Sequence, residues 1–163
     1  MLLDLREIIE LPGGKVTFDY EPDMTKVISG SIIGIKEPVR AVGKVSNNAG
    51  VLTFTADTQA TCVCVCARCL KDFERDIHKQ ISVNLTEEGV GENPDGYFLQ
   101  GDKIDATEII VTEFILNIDD RMLCFDDCAG LCQKCGKNLN EGKCDCKKDI
   151  DPRLAILGQL LEE

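Results

Sequence analysis

The sequence lacks tryptophan and has only two tyrosines and one histidine among its 163 residues. That histidine, His78, is out of phase with the apolar residues of its segment and is interpreted as an exposed strand residue. No Ser-His-acid constellation can be assembled around it, and no glycine-rich loop of the kind that cradles phosphates is present. The metal sites described below have no open position. We therefore expect a protein that is not an enzyme.

Long apolar runs are also missing, although 44% of the residues are hydrophobic. A transmembrane helix needs about 20 consecutive, mostly apolar residues, so no membrane span is expected. The chain begins Met-Leu-Leu-Asp-Leu-Arg-Glu, which has neither the charged region nor the apolar stretch of a secretory signal. We expect a cytoplasmic protein that does not bind membranes.

Positive charge is in deficit, with 18 Lys and Arg residues against 29 Asp and Glu and a formal net charge of -11. Such a surface keeps a protein soluble and repels phosphate backbones on average, which argues against broad nucleic-acid binding. Residues 132–148 are the local exception, with five lysines against two acidic residues. Solvated surface lysines explain this composition, and a phosphate contact would too. The candidate contacts to nucleic acid or a partner are Lys134, Lys137, Lys147 and Lys148.

Cysteine, in contrast, is abundant, and four of the ten residues follow the pattern Cys-x2-Cys-x8-Cys-x-Cys. Gly136 suits a tight knuckle whose backbone N–H groups can point at sulfur. The turn residues in 138–142 can fold the chain back onto the first pair. Four thiolates around one tetrahedral ion close a structural zinc site, and the ion replaces a core that so short a segment cannot build. The predicted ligands are Cys132, Cys135, Cys144 and Cys146.

Disulfides and an iron site are the two other chemistries that four cysteines can support. Disulfides would need an oxidising compartment, for which the sequence gives no signal. A rubredoxin-like iron site would have a second Cys-x2-Cys-Gly knuckle, whereas the second pair here is Cys-x-Cys. One structural zinc ion is therefore preferred.

Six cysteines remain outside this knuckle. A second tetrahedral site is possible from Cys66, Cys69, Cys124 and Cys128, and it would tie the sheet to the carboxy-terminal segment. The alternatives are that these four are buried or free thiols, or that Cys66 and Cys69 serve only the strand turn. Cys62 and Cys64 alternate with valine along a strand, so we expect them to be small apolar residues on a buried face.

Apolar periodicity predicts one mainly β region. Residues 4–10 predict a short helix capped by Asp4, and Asp105 opens a second helix over 105–118 whose apolar face covers the sheet. Period-two alternation predicts strands at 15–20, 28–37, 39–46, 51–66, 73–86 and 97–99. The expected fold is α+β: a twisted antiparallel sheet or partly closed barrel, with a covering helix and a C-terminal tetracysteine zinc knuckle.

The composition also suggests a division of the chain. Residues 1–120 form the expected α+β core domain, with an acidic, turn-rich and mobile loop at about 87–96. Residues 121–163 form the cysteine-rich zinc knuckle and a terminal helix, which begins at Asp151 as cap with Pro152 at the first helical position.

Several segments together resemble one family, that of the YceD large-ribosomal-RNA accumulation proteins. In order, they are Cys66-Ala-Arg-Cys-Leu70, the stretch Cys124–Asn140, Cys144-Asp-Cys146 and Asp151–Leu157. The resemblance implies a role in ribosome biogenesis, in accumulation of the large-subunit ribosomal RNA, without a known enzymatic step.

Two functions are compatible with these observations. The first is a non-enzymatic ribosome-biogenesis factor that binds a ribosomal protein or precursor RNA, since an acidic protein complements a basic ribosomal protein in charge. The second is a thiol redox or metal-carrier protein, which would need accessible thiols of low pKa.

Overall fold

The structure, a computed structural model, describes residues 1–25, 27–87 and 96–146. Most of the acidic loop at 87–96, the predicted terminal helix, and Lys147 and Lys148 lie outside these residues. The elements follow in the order β1 (Leu2–Asp4), α1 (Arg6–Ile9), β2 (Lys15–Tyr20), β3 (Ile32–Ile35), β4 (Arg40–Asn48), β5 (Val51–Val65), β6 (Asp72–Glu87), β7 (Tyr97–Leu99), β8 (Lys103–Asp105) and α2 (Ala106–Leu116).

Strand β5 is the centre of the main sheet. It is 15 residues long and pairs antiparallel with β6 along one edge. The other edge is shared, because β4 pairs with its first half and β3 with its last residues. Pro38 lies between β3 and β4, where the chain crosses from one partner segment to the next and no ladder hydrogen bond is required.

The sheet differs from the expected one in two ways. Among the described residues its strand order is β2-β4-β5-β6-β7, and the outer strands β2 and β7 do not pair with each other, so the sheet is not closed and the barrel alternative is wrong. It is also mixed, since β7 pairs in parallel with β6, placing Tyr97 opposite Leu85. Residues 88–96 connect β6 to β7, and their composition carries no signal for a parallel partner.

Two amino-terminal predictions are corrected by pairing that the sequence did not reveal. Residues 2–4 form β1, which pairs with β8 in a separate two-stranded sheet. Asp4 therefore lies in a strand and binds the Arg6 guanidinium, while α1 starts at Arg6 without a side-chain cap. The strand expected at 28–37 is shorter because Gly30, at φ 54°, lies in a turn bridged by Ser29 and Ile32.

One hydrophobic core lies between the sheet and α2. The buried residues of α2 are Ala106, Ile109, Ile110 and Phe114. Burying each large aliphatic or aromatic side chain stabilises the fold by about 1.5–3 kcal/mol. Strand β5 presents every second residue to this core: Leu52, Phe54, Ala56, Thr58, Ala60, Cys62 and Cys64.

Cys62 and Cys64 are fully buried, as their alternation with valine predicted. Burial raises the pKa of the Cys62 thiol to about 11 and also raises that of Cys64. Thiols that stay protonated at neutral pH are poor nucleophiles and poor metal ligands. Their position therefore accounts for them as core residues.

The segment after α2 contacts this core. Met122 is buried in the main cluster, and its backbone N–H donates to the Ser31 hydroxyl at 3.0 Å. The same hydroxyl donates to the Asp120 carbonyl at 2.9 Å. The predicted domain boundary near residue 120 stays a prediction.

The buried side chain of Asn47 joins the turn end of the β4–β5 hairpin to α1 by hydrogen bonds. Its side-chain amide donates to the carbonyls of Ile8 and Ile9 at 2.8 and 2.7 Å, and its side-chain oxygen accepts the Gly50 N–H at 2.8 Å. Asn47→Ala leaves these groups unpaired and is expected to lower the free energy of unfolding by about 2–4 kcal/mol. Exposed Asn48→Ala is the control, with an expected change within about 0.5 kcal/mol in urea unfolding. Equal effects of the two substitutions would contradict this assignment.

Candidate metal centres

The structure brings together the four cysteines of the predicted knuckle. The sulfur atoms of this group, called the knuckle centre, all lie within 4.8 Å of one another. Cys135 is exposed, and Cys132 and Cys144 are half-buried. The members are Cys132, Cys135, Cys144 and Cys146.

A second group, called the sheet centre, gathers four more cysteines with the same spread of sulfur positions: Cys66, Cys69, Cys124 and Cys128. The first two lie between β5 and β6, and the last two follow α2. The sulfur of Cys66 lies 3.7 Å from that of Cys128, and the sulfur of Cys69 lies 3.7 Å from that of Cys124. This centre is mostly buried, and Phe73, Leu123 and Leu131 pack around it.

The two Cys-x2-Cys turns share one backbone structure. The carbonyl of the first cysteine accepts the N–H of the residue four positions later, which is Leu70 or Gly136. The N–H of the first cysteine donates to the carbonyl of the residue five positions later, which is Lys71 or Lys137. Both distances are 3.0 Å in the turn at Cys66 and 2.9 Å in the turn at Cys132. Each centre is thus half built by a local turn that needs no distant partner.

The sequence carries a signal for this equivalence. Cys66-Ala-Arg-Cys-Leu-Lys71 and Cys132-Gln-Lys-Cys-Gly-Lys137 share the pattern Cys-x-basic-Cys-x-Lys. The fourth residue after the first cysteine has positive φ in both, 57° at Leu70 and 71° at Gly136. The two turns look different in sequence because leucine replaces glycine, the usual residue in that conformation, in the first of them.

Hydrogen bonds from the backbone favour ionisation of one thiol in each centre. Burial opposes ionisation of Cys66, but the N–H groups of Cys69, Cys124 and Arg68 donate to its sulfur and lower its pKa to about 6. Burial and the neighbouring thiols raise the pKa of Cys124 to about 12. Four sulfurs at this separation cannot all be anionic without a cation, because like charges repel.

The knuckle centre shows the same division. The N–H groups of Cys135 and Lys134 lower the pKa of Cys132 to about 6. A hydrogen bond with Cys135 is the largest of the causes that raise the pKa of Cys146 to about 12. Each centre therefore contains one thiol that ionises easily and one that would lose its proton only when a metal ion binds.

Two sulfur separations in the sheet centre fit tetrahedral coordination. Four sulfurs bound at about 2.3 Å to one ion lie about 3.8 Å from one another, close to the 3.7 Å separations of the sheet centre. A disulfide would need sulfurs about 2.05 Å apart, and all ten cysteines are free. Both clusters could hold a metal ion with four protein ligands.

Hydrogen bonds connect the two centres. The Asn140 side-chain amide donates to the Cys128 sulfur at 3.3 Å, and its oxygen accepts the Ala129 N–H at 2.7 Å. The Leu139 N–H donates to the Gly130 carbonyl at 2.8 Å. The loop between the two cysteine pairs of the knuckle centre therefore lies against Cys128 of the sheet centre and the two residues after it.

The remaining candidate residues that the structure describes lie on the surface. Lys134 and Lys137 are exposed, and the Lys137 ammonium donates to the Lys143 carbonyl at 2.9 Å. His78 is exposed and lies 3.5 Å from an oxygen of Asp57, as expected for an outward strand residue. In the part of the chain that the structure describes, no helix combines the length and apolar character needed to cross a membrane.

These features define a class: a mostly β-sheet protein with few helices and two four-cysteine centres able to hold metal. The model of the family described as large ribosomal RNA subunit accumulation protein YceD matches residues 54–161, which include both centres. The chain belongs to the YceD family, and the resemblance found in the sequence is confirmed.

Two relatives extend this comparison. The chain is 30% identical over 187 residues to the chloroplastic large ribosomal RNA subunit accumulation protein YCED homolog 1 of Arabidopsis thaliana, covering 93% of this chain and 54% of that protein. It therefore spans about half of that relative's length. It is 25% identical over 169 residues to the uncharacterized protein YlbN of Bacillus subtilis (strain 168), covering 96% of this chain and 94% of that protein. No solved structure matches the chain.

Proposed function

We propose that this protein is a cytoplasmic, non-enzymatic ribosome-biogenesis factor that supports accumulation of the large-subunit ribosomal RNA. The observation that carries the proposal is the family match over residues 54–161. The printed name of the Arabidopsis relative, an accumulation protein for the same RNA, supports the same pathway.

We infer that both centres hold zinc. Four thiolates in tetrahedral positions suit an ion without geometric preference or redox chemistry, and a closed set of ligands is typical of structural zinc. The sheet centre would fix the β5–β6 turn to the segment after α2. The knuckle centre would order residues 132–146, which contribute no side chain to the hydrophobic clusters of the described residues.

Binding, not catalysis, is the proposed mode of action. A zinc ion with four cysteine ligands has no free position at which to activate water or substrate. The net charge of -11 favours a basic ribosomal protein as the first partner to test. Precursor RNA is the second, through the lysines already named: Lys134, Lys137, Lys147 and Lys148.

A thiol redox or metal-carrier protein remains the alternative function. It would act through accessible thiols, and the knuckle centre with exposed Cys135 is where such chemistry could occur. Its distinguishing behaviour is rapid alkylation and ready metal exchange, whereas structural ligands react slowly while the metal is bound.

Deletion of the gene in its host is the test of the proposed function. We expect less large-subunit ribosomal RNA and a lower ratio of large to small subunits in sucrose gradients, because an assembly intermediate loses a stabilising partner. Wild-type protein restores both values. A variant with alanine at the four candidate lysines should restore them if protein binding dominates, and fail if RNA contact does. Unchanged RNA and subunit ratio on deletion, at optimal and low temperature, would refute the proposal.

A further inference from the structure

Leu70 combines an unfavourable backbone with an exposed side chain. Its φ is 57°, in the left-handed region that disfavours residues with a Cβ, and its side chain is 64% exposed. The equivalent position in the knuckle centre is Gly136, which adopts φ 71° without this cost. The turn therefore calls for glycine, and burial within the described chain does not compensate for leucine.

A second exposed apolar side chain lies beside the same centre. Phe125 is 50% exposed and directly follows Cys124, as Leu70 directly follows Cys69. Because the two cysteine sulfurs are 3.7 Å apart, ordinary bond lengths place the Cα atoms of Leu70 and Phe125 within about 17 Å of each other. Both side chains fit within one protein interface.

The Phe125 end of this pair is acidic. Asp126 and Asp127 are exposed, and no basic side chain of the described residues forms an ion pair with either of them. Four thiolates around a bound divalent ion would add a formal charge of about -2 close to them. Basic side chains lie at the Leu70 end: Lys71 is exposed beside Leu70, and the positively charged Arg68 guanidinium donates to the Cys128 carbonyl at 2.9 Å.

The acidic end of this surface, in a chain of net charge -11, favours a basic partner. Residues 147–163 are a poor occupant because they carry four acidic and three basic side chains. A basic protein would gain charge pairing with the aspartates and would bury the two apolar side chains.

We propose that Leu70, Phe125, Asp126 and Asp127, together called the sheet-centre patch, dock one basic protein of the large ribosomal subunit. Leu70 and Phe125 insert into the partner, and the aspartates pair with its lysines or arginines. This inference rests on the proposed function and names the surface through which the protein acts.

The experiment uses the full-length, metal-loaded chain with a photo-crosslinking amino acid at position 70, or at position 116 as the control. Leu116 is 70% exposed on α2 and is not part of the patch. The probes are the proteins extracted from the host's purified large subunits and, separately, the deproteinised large-subunit RNA. We expect position 70, but not position 116, to crosslink to one basic ribosomal protein identified by mass spectrometry.

Substitutions then measure the contribution of each group to binding of the crosslinked protein. Leu70→Asn keeps a residue that tolerates positive φ, and it should weaken binding roughly tenfold or more, as should Phe125→Ser. Asp126→Asn with Asp127→Asn should weaken binding and flatten its salt dependence. Leu116→Ala should leave affinity unchanged. If Leu70→Asn lost metal, Leu70→Gly, which relieves the backbone conformation, would replace it.

Several results would overturn the proposal: a crosslink to RNA, a crosslink to residues 147–163 of the same chain, no excess over position 116, or full binding by both variants at Leu70. Complementation of the deletion separates this failure from that of the proposed function. If deletion lowers the large-subunit RNA but Leu70→Asn restores it, only the patch is wrong. If deletion has no effect, the proposed function itself is wrong.

Discussion

Cys128→Ser is expected to reduce the metal content from about two ions per chain to about one and to destabilise the whole fold. The sheet centre joins cysteines that are 62 residues apart in sequence, Cys66 and Cys128. By the chain-entropy relation for a cross-link, closing a loop of that length stabilises the folded state by about 4 kcal/mol. We expect a loss of about this size in denaturant unfolding, with elemental analysis for the metal.

Cys135→Ser provides the matched comparison. It should also remove about one metal ion, but it should change global unfolding by less than about 1 kcal/mol, because residues 132–146 add nothing to the described core. Two metal ions retained in both variants would contradict the assigned ligands.

In the wild type, iodoacetamide should label the knuckle centre before the sheet centre. Rapid labelling of all eight thiols in the metal-loaded protein would instead favour the redox alternative.

Gly43→Ala is expected to produce the largest loss of stability from one added methyl group. Gly43 lies in β4, and a Cβ there would overlap the Thr55 carbonyl oxygen. It would also lie 2.5 Å from a ring carbon of Phe18 and 2.9 Å from the Cα of Ala56. Backbone atoms of a paired strand cannot move aside cheaply, so we expect the free energy of unfolding to fall by about 3 kcal/mol or more.

Gly34→Ala is the control for this substitution. Gly34 also lies in a strand of the same sheet, has no positive φ, and has no atom within 4 Å of the Cβ position. Alanine there should stabilise the protein by about 0.5 kcal/mol, since it restricts the unfolded chain. Urea midpoints of the two variants and the wild type give both values. Similar midpoints for all three would show that the space around Gly43 can expand.

The sheet centre is a site whose four ligands the sequence does not determine. The pair Cys124 and Cys128 has a loose Cys-x3-Cys spacing, and the partner pair lies more than fifty residues earlier. Sequence could propose the meeting of the two pairs but could not require it. The β5–β6 turn and the segment after α2 meet because the core brings these distant parts of the chain together.

The knuckle centre and the strand pattern were accessible from the sequence because they depend on neighbours along the chain. A Cys-x2-Cys turn is closed by bonds to residues four and five positions on, and strand alternation placed Cys62 and Cys64 on the buried face of β5. The N-cap of α2 was predicted for the same reason, since Asp105 accepts the N–H of Thr107 only two residues away.

The tertiary structure alone decided the pairings between distant segments. These are the β1–β8 sheet, the parallel attachment of β7, the open ends of the main sheet and the second set of four cysteines. Each depends on which surfaces meet when the core forms, and such contacts leave no fixed spacing in the chain. The sequence therefore determined the family, the knuckle and most strands, while packing across the sheet determined the sheet's edges and the second centre.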